Sequence, residues 1–386
     1  MKVLISATYF EPYHSGLSTY AYRLAKGLTQ RGHEVVVLTS AYASALKLEE
    51  WKDDIHIVRV PVSFRLSKGV VMLGLSKAAW QWIGWADVVN LHLPQFESFY
   101  LARLVKCSRK PLVVTWHCDL EMSGGVFGQF AGWVTNHLGR AAARLSNRIV
   151  QNSMDYARTS RHIRQFIDKV EEVCTPIEVE AAQSEIVEDL RQRIDFKPGQ
   201  KIIGLAGRVA REKGYEYLVE ALPGILAEFP TARVVHAGMW AGVVGEQDYQ
   251  AEIEKLIAPF GERWVSLGFL SDAAFRAFFA MIDVLAFSSL NRTESFGIVQ
   301  IEAMAQGTPI AASDLPGVRQ PVLRTGMGEI VPLRDARALA GAIKKVLTMG
   351  KPAEKPEAYL ASFGVDAVAK RYEEIYAEVL GNAAAD

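Results

Sequence analysis

A short strand, a loop, a helix and a second strand follow one another within the first forty residues, and this succession constrains the fold more than any other feature. Residues 2–7 are short and apolar, 9–18 are rich in Gly, Pro and Ser, and 19–31 carry Tyr20, Leu24 and Leu28 at helical spacing. Gly32 closes the helix, and 34–38 run on through Val35-Val36-Val37-Leu38, the pattern of a strand buried on both faces. Two strands joined through a helix lie parallel in one sheet. Buried-strand candidates at 55–60, 88–91, 112–115 and 148–151, with helical stretches between them such as 127–145, extend this start into one doubly wound domain.

The pattern then begins again. Residues 202–206 form a strand, 207–214 a loop, 215–228 a helix and 234–237 a strand. Strands at 265–267, 284–287 and 309–311 alternate with helices at 273–280, 296–306 and 335–347. The polar, acidic stretch 177–199, ending in Lys197-Pro198-Gly199, is expected to connect the halves. The fold class is therefore α/β: two Rossmann-like doubly wound domains, residues 1–180 and 181–364, facing a central cleft at their strand C-termini. A helix over 365–386 has no strand after it and is expected to pack back on the first domain. The total of 386 residues suits two such domains.

Composition narrows the function by exclusion. A formal net charge of zero gives no global reason to bind nucleic acid. Three widely spaced cysteines, Cys107, Cys118 and Cys174, form neither a disulfide framework nor a zinc motif and suit a reducing cytosol. The apolar start is too short for a secretory signal, and 70–85 is interrupted by Lys77 and Gln81 and falls short of a membrane span. A cytoplasmic location follows as the expectation.

Two local patterns carry chemistry. Glu294 and Glu302 have seven residues between them, the first in a loop after the strand 284–287, the second on a helix opened by Phe296 and Gly297. Eight helical steps span about 12 Å, too far for the roughly 5–9.5 Å of a glycosidase carboxylate pair. That separation suits two hydroxyl-rich ends of one extended ligand, with the amides of Phe296, Gly297 and Ile298 facing a diphosphate between them. Taken alone, the pair serves equally as a capping acid and an exposed helical glutamate. The second pattern is the loop Gly207-Arg208-Val209-Ala210-Arg211-Glu212-Lys213-Gly214, which sets three cations between glycines and can neutralise a diphosphate. It is neither a phosphate-binding Walker loop nor a dinucleotide fingerprint, and a solvated basic loop is its bland alternative.

Together with Thr308-Pro309-Ile310-Ala311-Ala312-Ser313, these patterns resemble the retaining GT-B glycosyltransferases of family 4. Residues 1–40, Thr115-Trp116-His117 and the terminal 363–372 are similar to that family too, so the resemblance covers nearly the whole chain. It implies hexosyl transfer from a nucleotide-diphosphate sugar, UDP- or GDP-linked first, to a hydroxyl of a glycan, lipid-linked or small-molecule acceptor in polysaccharide or glycolipid biosynthesis. It implies Arg208 and Lys213 on the donor diphosphate, Glu294 on the sugar hydroxyls and Glu302 on the ribose. His117 is implied at the sugar near the reacting carbon, and Gly16 where backbone approaches the phosphates. No cofactor beyond the donor is expected and no metal, because no Asp-x-Asp motif stands where one is needed and cations with a helix dipole take its place. Departures touch donor identity: Ser15 replaces one glycine of a usual pair, Ala237-Gly238-Met239-Trp240 replaces a Gly-Asp-Gly-like turn, and Gln320 replaces a frequent glutamate. Cys174-Thr175-Pro176-Ile177 stands where an Asn-Gly-Val-Asp entry is usual.

Lesser sites divide between chemistry and structure. His117 and Cys118 point to opposite sides of extended backbone, so they form no dyad, and His14, His92 and His117 lack metal-ligand spacing. His92 is expected to be structural, His14 structural or acceptor-binding, and Asp119 an acceptor base or a loop cap. Arg140, Arg144 and Arg148 recur every four residues as one helical basic stripe, preceded by Phe127, Phe130, Trp133 and Val134. Trp80, Trp82 and Trp85 lie near Lys68 and Lys77, and Arg103, Lys106, Arg109 and Lys110 form another basic cluster. A solvated face with core aromatics is one reading; peripheral contact with anionic lipid at the inner face of a membrane is the other. The rival functions are a non-catalytic sugar-nucleotide sensor or scaffold, a phosphorylase or epimerase on the same fold, and a nicotinamide oxidoreductase that lacks its fingerprint.

Overall fold

The computed structural model describes residues 1–66, 69–121, 125–243 and 245–383. Lys68 and positions 384–386 of the expected terminal helix lie outside the described residues, as does the side chain of Phe127. The chain divides into two units, Met1–Ile177 with Ser362–Asp386, and Glu178–Ala361.

The first unit begins β1 (Lys2–Ser6), α1 (Gly16–Gln30), β2 (Glu34–Ala41), β3 (Glu49–Lys52) and β4 (Ile55–Pro61). A hairpin of β5 (Phe64–Leu66) and β6 (Gly69–Val71) leads to α2 (Leu75–Trp85) and β7 (Val88–Leu93). Then come α3 (Ser98–Cys107), β8 (Leu112–Trp116), α4 (Gly125–Leu145), β9 (Arg148–Gln151), α5 (Met154–Thr159) and β10 (Val170–Glu172). The strands lie in the order β10-β9-β8-β7-β1-β2-β4-β3, parallel throughout except that β3 runs antiparallel to β4. Every residue of β7 and β8 is buried on both faces of the sheet, the polar Asn90, His92 and Thr115 among them. β3 escapes that pattern because it is a charged edge strand, Glu-Glu-Trp-Lys, whose side chains keep the sheet edge from pairing with another chain.

The second unit begins α6 (Ser184–Arg193), β11 (Ile202–Ala206), α7 (Tyr215–Leu226), β12 (Arg233–Ala237), α8 (Gln247–Ile257) and β13 (Trp264–Ser266). It continues with α9 (Asp272–Met281), β14 (Val284–Phe287), α10 (Ile298–Ala305), β15 (Ile310–Ser313), α11 (Gln320–Thr325) and β16 (Gly328–Val331). Two more helices, α12 (Ala336–Met349) and α13 (Glu357–Ala361), complete it. All six strands are parallel, ordered β13-β12-β11-β14-β15-β16. The stretch 177–199 is not a plain linker: it contains α6, which packs on α9 through Leu190 and the apolar side of an otherwise charged helix.

The last helix, α14 (Val365–Ala383), belongs to the first unit. It lies against α1, burying Val368, Ala369, Tyr372, Ile375, Tyr376 and Val379 in the same core as Tyr20, Leu24 and Leu28. Arg31 ties the two helices at the surface through Asp366 and Glu373, each 2.7 Å away.

In both sheets the strand order reverses once, between β1 and β7 and between β11 and β14. Loops leaving the C-terminal ends of the two strands at such a point splay apart, and ligands of open α/β sheets bind there. The loops of Gly16, Gly207 and Glu294 leave β1, β11 and β14 at these places, whereas His117 follows β8, one strand beyond β7. Among the described residues, no helix is long and apolar enough to cross a membrane.

Candidate active site

In the second unit the two motif loops flank the switch point, one after β11 and one after β14. They are stitched together by backbone: Leu290 N–H donates to Glu212 O (2.8 Å), and Ser288 Oγ lies 2.9 and 3.0 Å from the carbonyls of Lys213 and Gly214. This brings Lys213 Nζ to 2.6 Å from Glu294 Oε2, with the side chains 17% and 19% exposed. The ammonium also lies over the Phe287 ring, 5.5 Å from its centre. A half-desolvated cation and anion are thus held at one point, each with donors or acceptors left for a ligand. Arg208 is more exposed and turns to Glu212, 2.7 Å away.

The helix after Glu294 begins later than its apolar pattern implies. Gly297 caps it at φ 80°, so α10 starts at Ile298 and Glu302 sits little more than one turn in. The 12 Å helical separation from Glu294 therefore does not hold, since only the steps from Ile298 onward are helical. A Cβ on Gly297 would lie 2.6 Å from Phe287 Cζ, so position and backbone both require glycine. The Phe296 side chain is buried. Gln300 N–H is already bonded to Gly297 O (2.9 Å). The Gln300 side chain holds this turn, donating to Phe296 O (2.8 Å) and Val318 O (3.0 Å).

The Gly207 loop has supports that the sequence did not flag. His236, fully buried on β12, places Nε2 2.7 Å from Gly207 O and Nδ1 3.1 Å from Ser266 Oγ. The carbonyl only accepts, so Nε2 carries the hydrogen and the Ser266 hydroxyl donates to Nδ1. Burial pushes the His236 imidazole down to about 4, keeping it neutral for this role. Glu246, also buried, accepts from Arg211 N–H (3.1 Å). Gly238, in the turn where a Gly-Asp-Gly pattern is absent, lets backbone pass Gly207: a Cβ there would lie 2.1 Å from Gly207 O. A lone histidine in an apolar strand has no local signal, because its partner is a carbonyl 29 residues away.

In the first unit Gly16 is the first residue of α1, with Ser15 as its cap: Ser15 Oγ accepts from Ser18 N–H (3.2 Å) and Ser18 Oγ from Ser15 N–H (3.0 Å). The serine that replaces a glycine thus closes a capping box. His117 follows β8, its N–H bonded to Leu93 O (2.8 Å) and its Nε2 3.0 Å from Nδ1 of buried His92. Asp119 is buried and accepts from Trp116 Nε1 (3.0 Å), Ser160 Oγ (2.8 Å) and Arg161 N–H (3.2 Å). Its lone pairs are committed to the loop, so it is a cap and not an acceptor base. His14 is exposed.

The expected basic stripe is broken. α4 ends at Leu145, and Arg148 lies on β9, where it faces Glu171 and Glu378. Arg140 and Arg144 remain on the helix, on one line with Phe130 and Trp133, which are 60% and 57% exposed rather than core. Those two rings stack at 6.1 Å, and Trp133 packs on His137 at 4.2 Å. Among the described residues no three His, Cys, Asp or Glu side chains gather as a metal site.

Two Rossmann-like sheets, each with a candidate site loop at its switch point, are the architecture of the GT-B class of glycosyltransferase. Comparison with known proteins agrees. The model for glycosyl transferases group 1 matches residues 186–361, and that for glycosyltransferase family 4 matches residues 14–181. The chain belongs to the group 1 glycosyltransferases. It is 27% identical over 380 residues to a phosphatidyl-myo-inositol mannosyltransferase of Mycobacterium leprae, covering 97% of this chain and 93% of that one. A 2-deoxystreptamine glucosyltransferase of Streptomyces kanamyceticus is 26% identical over 357 residues, with 84% and 88% covered. Sucrose-phosphate synthase from Thermosynechococcus elongatus superposes with a TM-score of 0.76 at 17% identity, over 99% of each chain. HepE of Anabaena, solved in complex with UDP, superposes with a TM-score of 0.69 at 20% identity, over 100% and 98%.

Proposed function

We propose that this glycosyltransferase moves a hexosyl group from a UDP- or GDP-sugar to an acceptor hydroxyl with retention and without a metal. The observation that carries the reading is the Lys213–Glu294 contact at the switch point of the second unit. It sets a phosphate-neutralising ammonium beside a carboxylate that accepts from sugar hydroxyls. Arg208 and the N–H groups at the start of α10, near Gly297 and Ile298, share the diphosphate charge, and Glu302 takes the ribose. His117 takes the sugar near its reacting carbon, and Gly16 lets the α1 turn approach the phosphates. The bond from the anomeric carbon to the diphosphate oxygen breaks, the acceptor oxygen bonds the same face of that carbon, and the acceptor proton passes to the departing phosphate.

The names of the similar proteins bear on the donor and the acceptor. The Anabaena HepE structures hold UDP and UDP-glucose, which supports a uridine donor. The relatives act, by their names, on phosphatidyl-myo-inositol and on 2-deoxystreptamine. The exposed Phe130 and Trp133, in line with Arg140 and Arg144, favour a lipid-linked acceptor reached by peripheral contact with an anionic inner membrane face. The assignment is tested by Lys213→Ala and Glu294→Ala. Removing a group that stabilises the departing charge costs about 10²–10³ in turnover. Near-normal transfer by either variant would count against the reading.

A further inference from the structure

The C-terminal ends of β7 and β8 carry an alternation that separates two faces. Leu91, Leu93, Val114 and Trp116 enter the apolar core on one side. Asn90, His92 and Thr115 point to the other, with His117 just beyond the strand end and His92 paired in register with Thr115. On that face α1 and α14 bring Tyr20, Tyr372 and Tyr376. Thr115 Oγ1 donates to Asn90 Oδ1 (3.0 Å), Asn90 Nδ2 donates to Tyr376 Oη (2.8 Å), and Tyr372 Oη lies 2.9 Å from both Thr115 Oγ1 and Tyr20 Oη. Above this layer the Tyr20 ring stands edge-on to both histidines, at 4.8 Å from His117 and 5.8 Å from His92. The two imidazoles therefore have little freedom to turn.

Their single mutual hydrogen bond has two possible senses, and the surroundings choose between them. His92 Nε2 is buried and has no hydrogen-bond partner among the described residues. A proton there would leave an orphaned N–H, which buried sites avoid more strictly than an unused acceptor lone pair. The proton of His92 accordingly sits on Nδ1 and is donated to His117 Nε2, 3.0 Å away. His117 then carries its own proton on Nδ1, the nitrogen that has no hydrogen-bond partner among the described residues. Burial keeps both rings neutral, His117 being lowered to about 3 and His92 well below the ordinary value, and no carboxylate bonds either ring among the described residues.

We infer that His92 is a positioning residue for the transfer reaction, fixing His117 as the neutral Nδ1–H tautomer so that it meets the donor sugar as a hydrogen-bond donor. The inference rests on the proposed role of His117 at the sugar. It gives the C-terminal ends of β7 and β8 a polar pair that neither histidine alone would signal. His92 acts only through His117 and touches no substrate.

The test joins spectroscopy to kinetics on the full chain. In the wild-type protein labelled with ¹⁵N-histidine, long-range ¹H–¹⁵N spectra should show His117 Nδ1 protonated and Nε2 bare. This readout needs no variant, so a misfolded mutant does not shield the inference. His92→Asn keeps an amide N–H near the Nδ1 position and should retain kcat, whereas His92→Gln and His92→Phe should lose roughly ten- to a hundredfold in kcat with donor KM little changed. His117 protonated on Nε2 in the wild-type protein, or His92→Asn as impaired as His92→Phe, would overturn the inference. Full turnover by His117→Ala would overturn the reading of His117 itself and the inference with it. Loss of turnover in His117→Ala with none in a folded His92→Phe would overturn the inference alone.

Discussion

Lys213 and Glu294 were visible in the sequence because the loops that hold them are local: a glycine-bounded run of cations after one strand, and an acid before a helix after another. That the two side chains meet at 2.6 Å was not visible, since it depends on β11 and β14 being neighbours in the sheet. His236 was not legible at all. Its contribution can be isolated by pH. The folded protein keeps His236 neutral down to about 4, whereas the unfolded chain protonates near 6.5. Below 6.5 the unfolded state therefore binds more protons, so this contribution to stability is full above 6.5 and is lost as pH falls toward 4. His92 and His117 act in the same sense, and Glu97, raised to about 7 by burial, in the opposite one. Comparison with His236→Gln separates them, because the glutamine amide reaches Gly207 O and does not titrate. Thermal melts between pH 7 and 4.5 should show a shallower decline for the variant; parallel curves would contradict the account of His236.

At the scale of elements, long apolar helices and buried strands followed from periodicity, and their ends did not. The apolar run through Phe296 extends the helix two residues too far, because Gly297 adopts a left-handed cap that a hydrophobic pattern cannot register. The four-residue recurrence of arginines likewise carries across Ser146-Asn147, where the chain leaves α4 and enters β9. Gly297→Ala should cost about 1–3 kcal/mol for its backbone conformation alone, with the Phe287 contact added. Gly326→Ala is the control: φ there is 68° and a Cβ meets nothing within 4 Å. A larger fall in melting temperature for Gly297→Ala is expected, and equal falls would mean that the packing against Phe287 contributes nothing. The exposed line on α4 makes a separate prediction. Vesicles of anionic lipid at low salt should co-sediment the protein, and Phe130→Ser with Trp133→Ser should weaken that binding several-fold through lost apolar insertion, by about 25 cal/mol per Å² no longer buried. No binding by the wild-type protein would remove the membrane proposal.

For the whole molecule, two Rossmann-like units were legible because the strand–loop–helix pattern occurs twice, and the parallel sheet follows from it. The missing strand after the last helix is the sequence signal for its return to the first unit, but its partners follow from no local rule: Tyr372 and Tyr376 meet Tyr20 and Asn90 across most of the chain length. The same sheets that order the strands bring each motif loop to a switch point, and the donor chemistry proposed for those loops accords with membership of group 1. That chemistry has a direct measurement: nucleotide release from a panel of UDP-, GDP- and ADP-sugars, with chelator present and no metal added. Release from a UDP- or GDP-sugar that survives the chelator is the predicted result. Silence across the panel, with no nucleotide raising the melting temperature, would contradict the account.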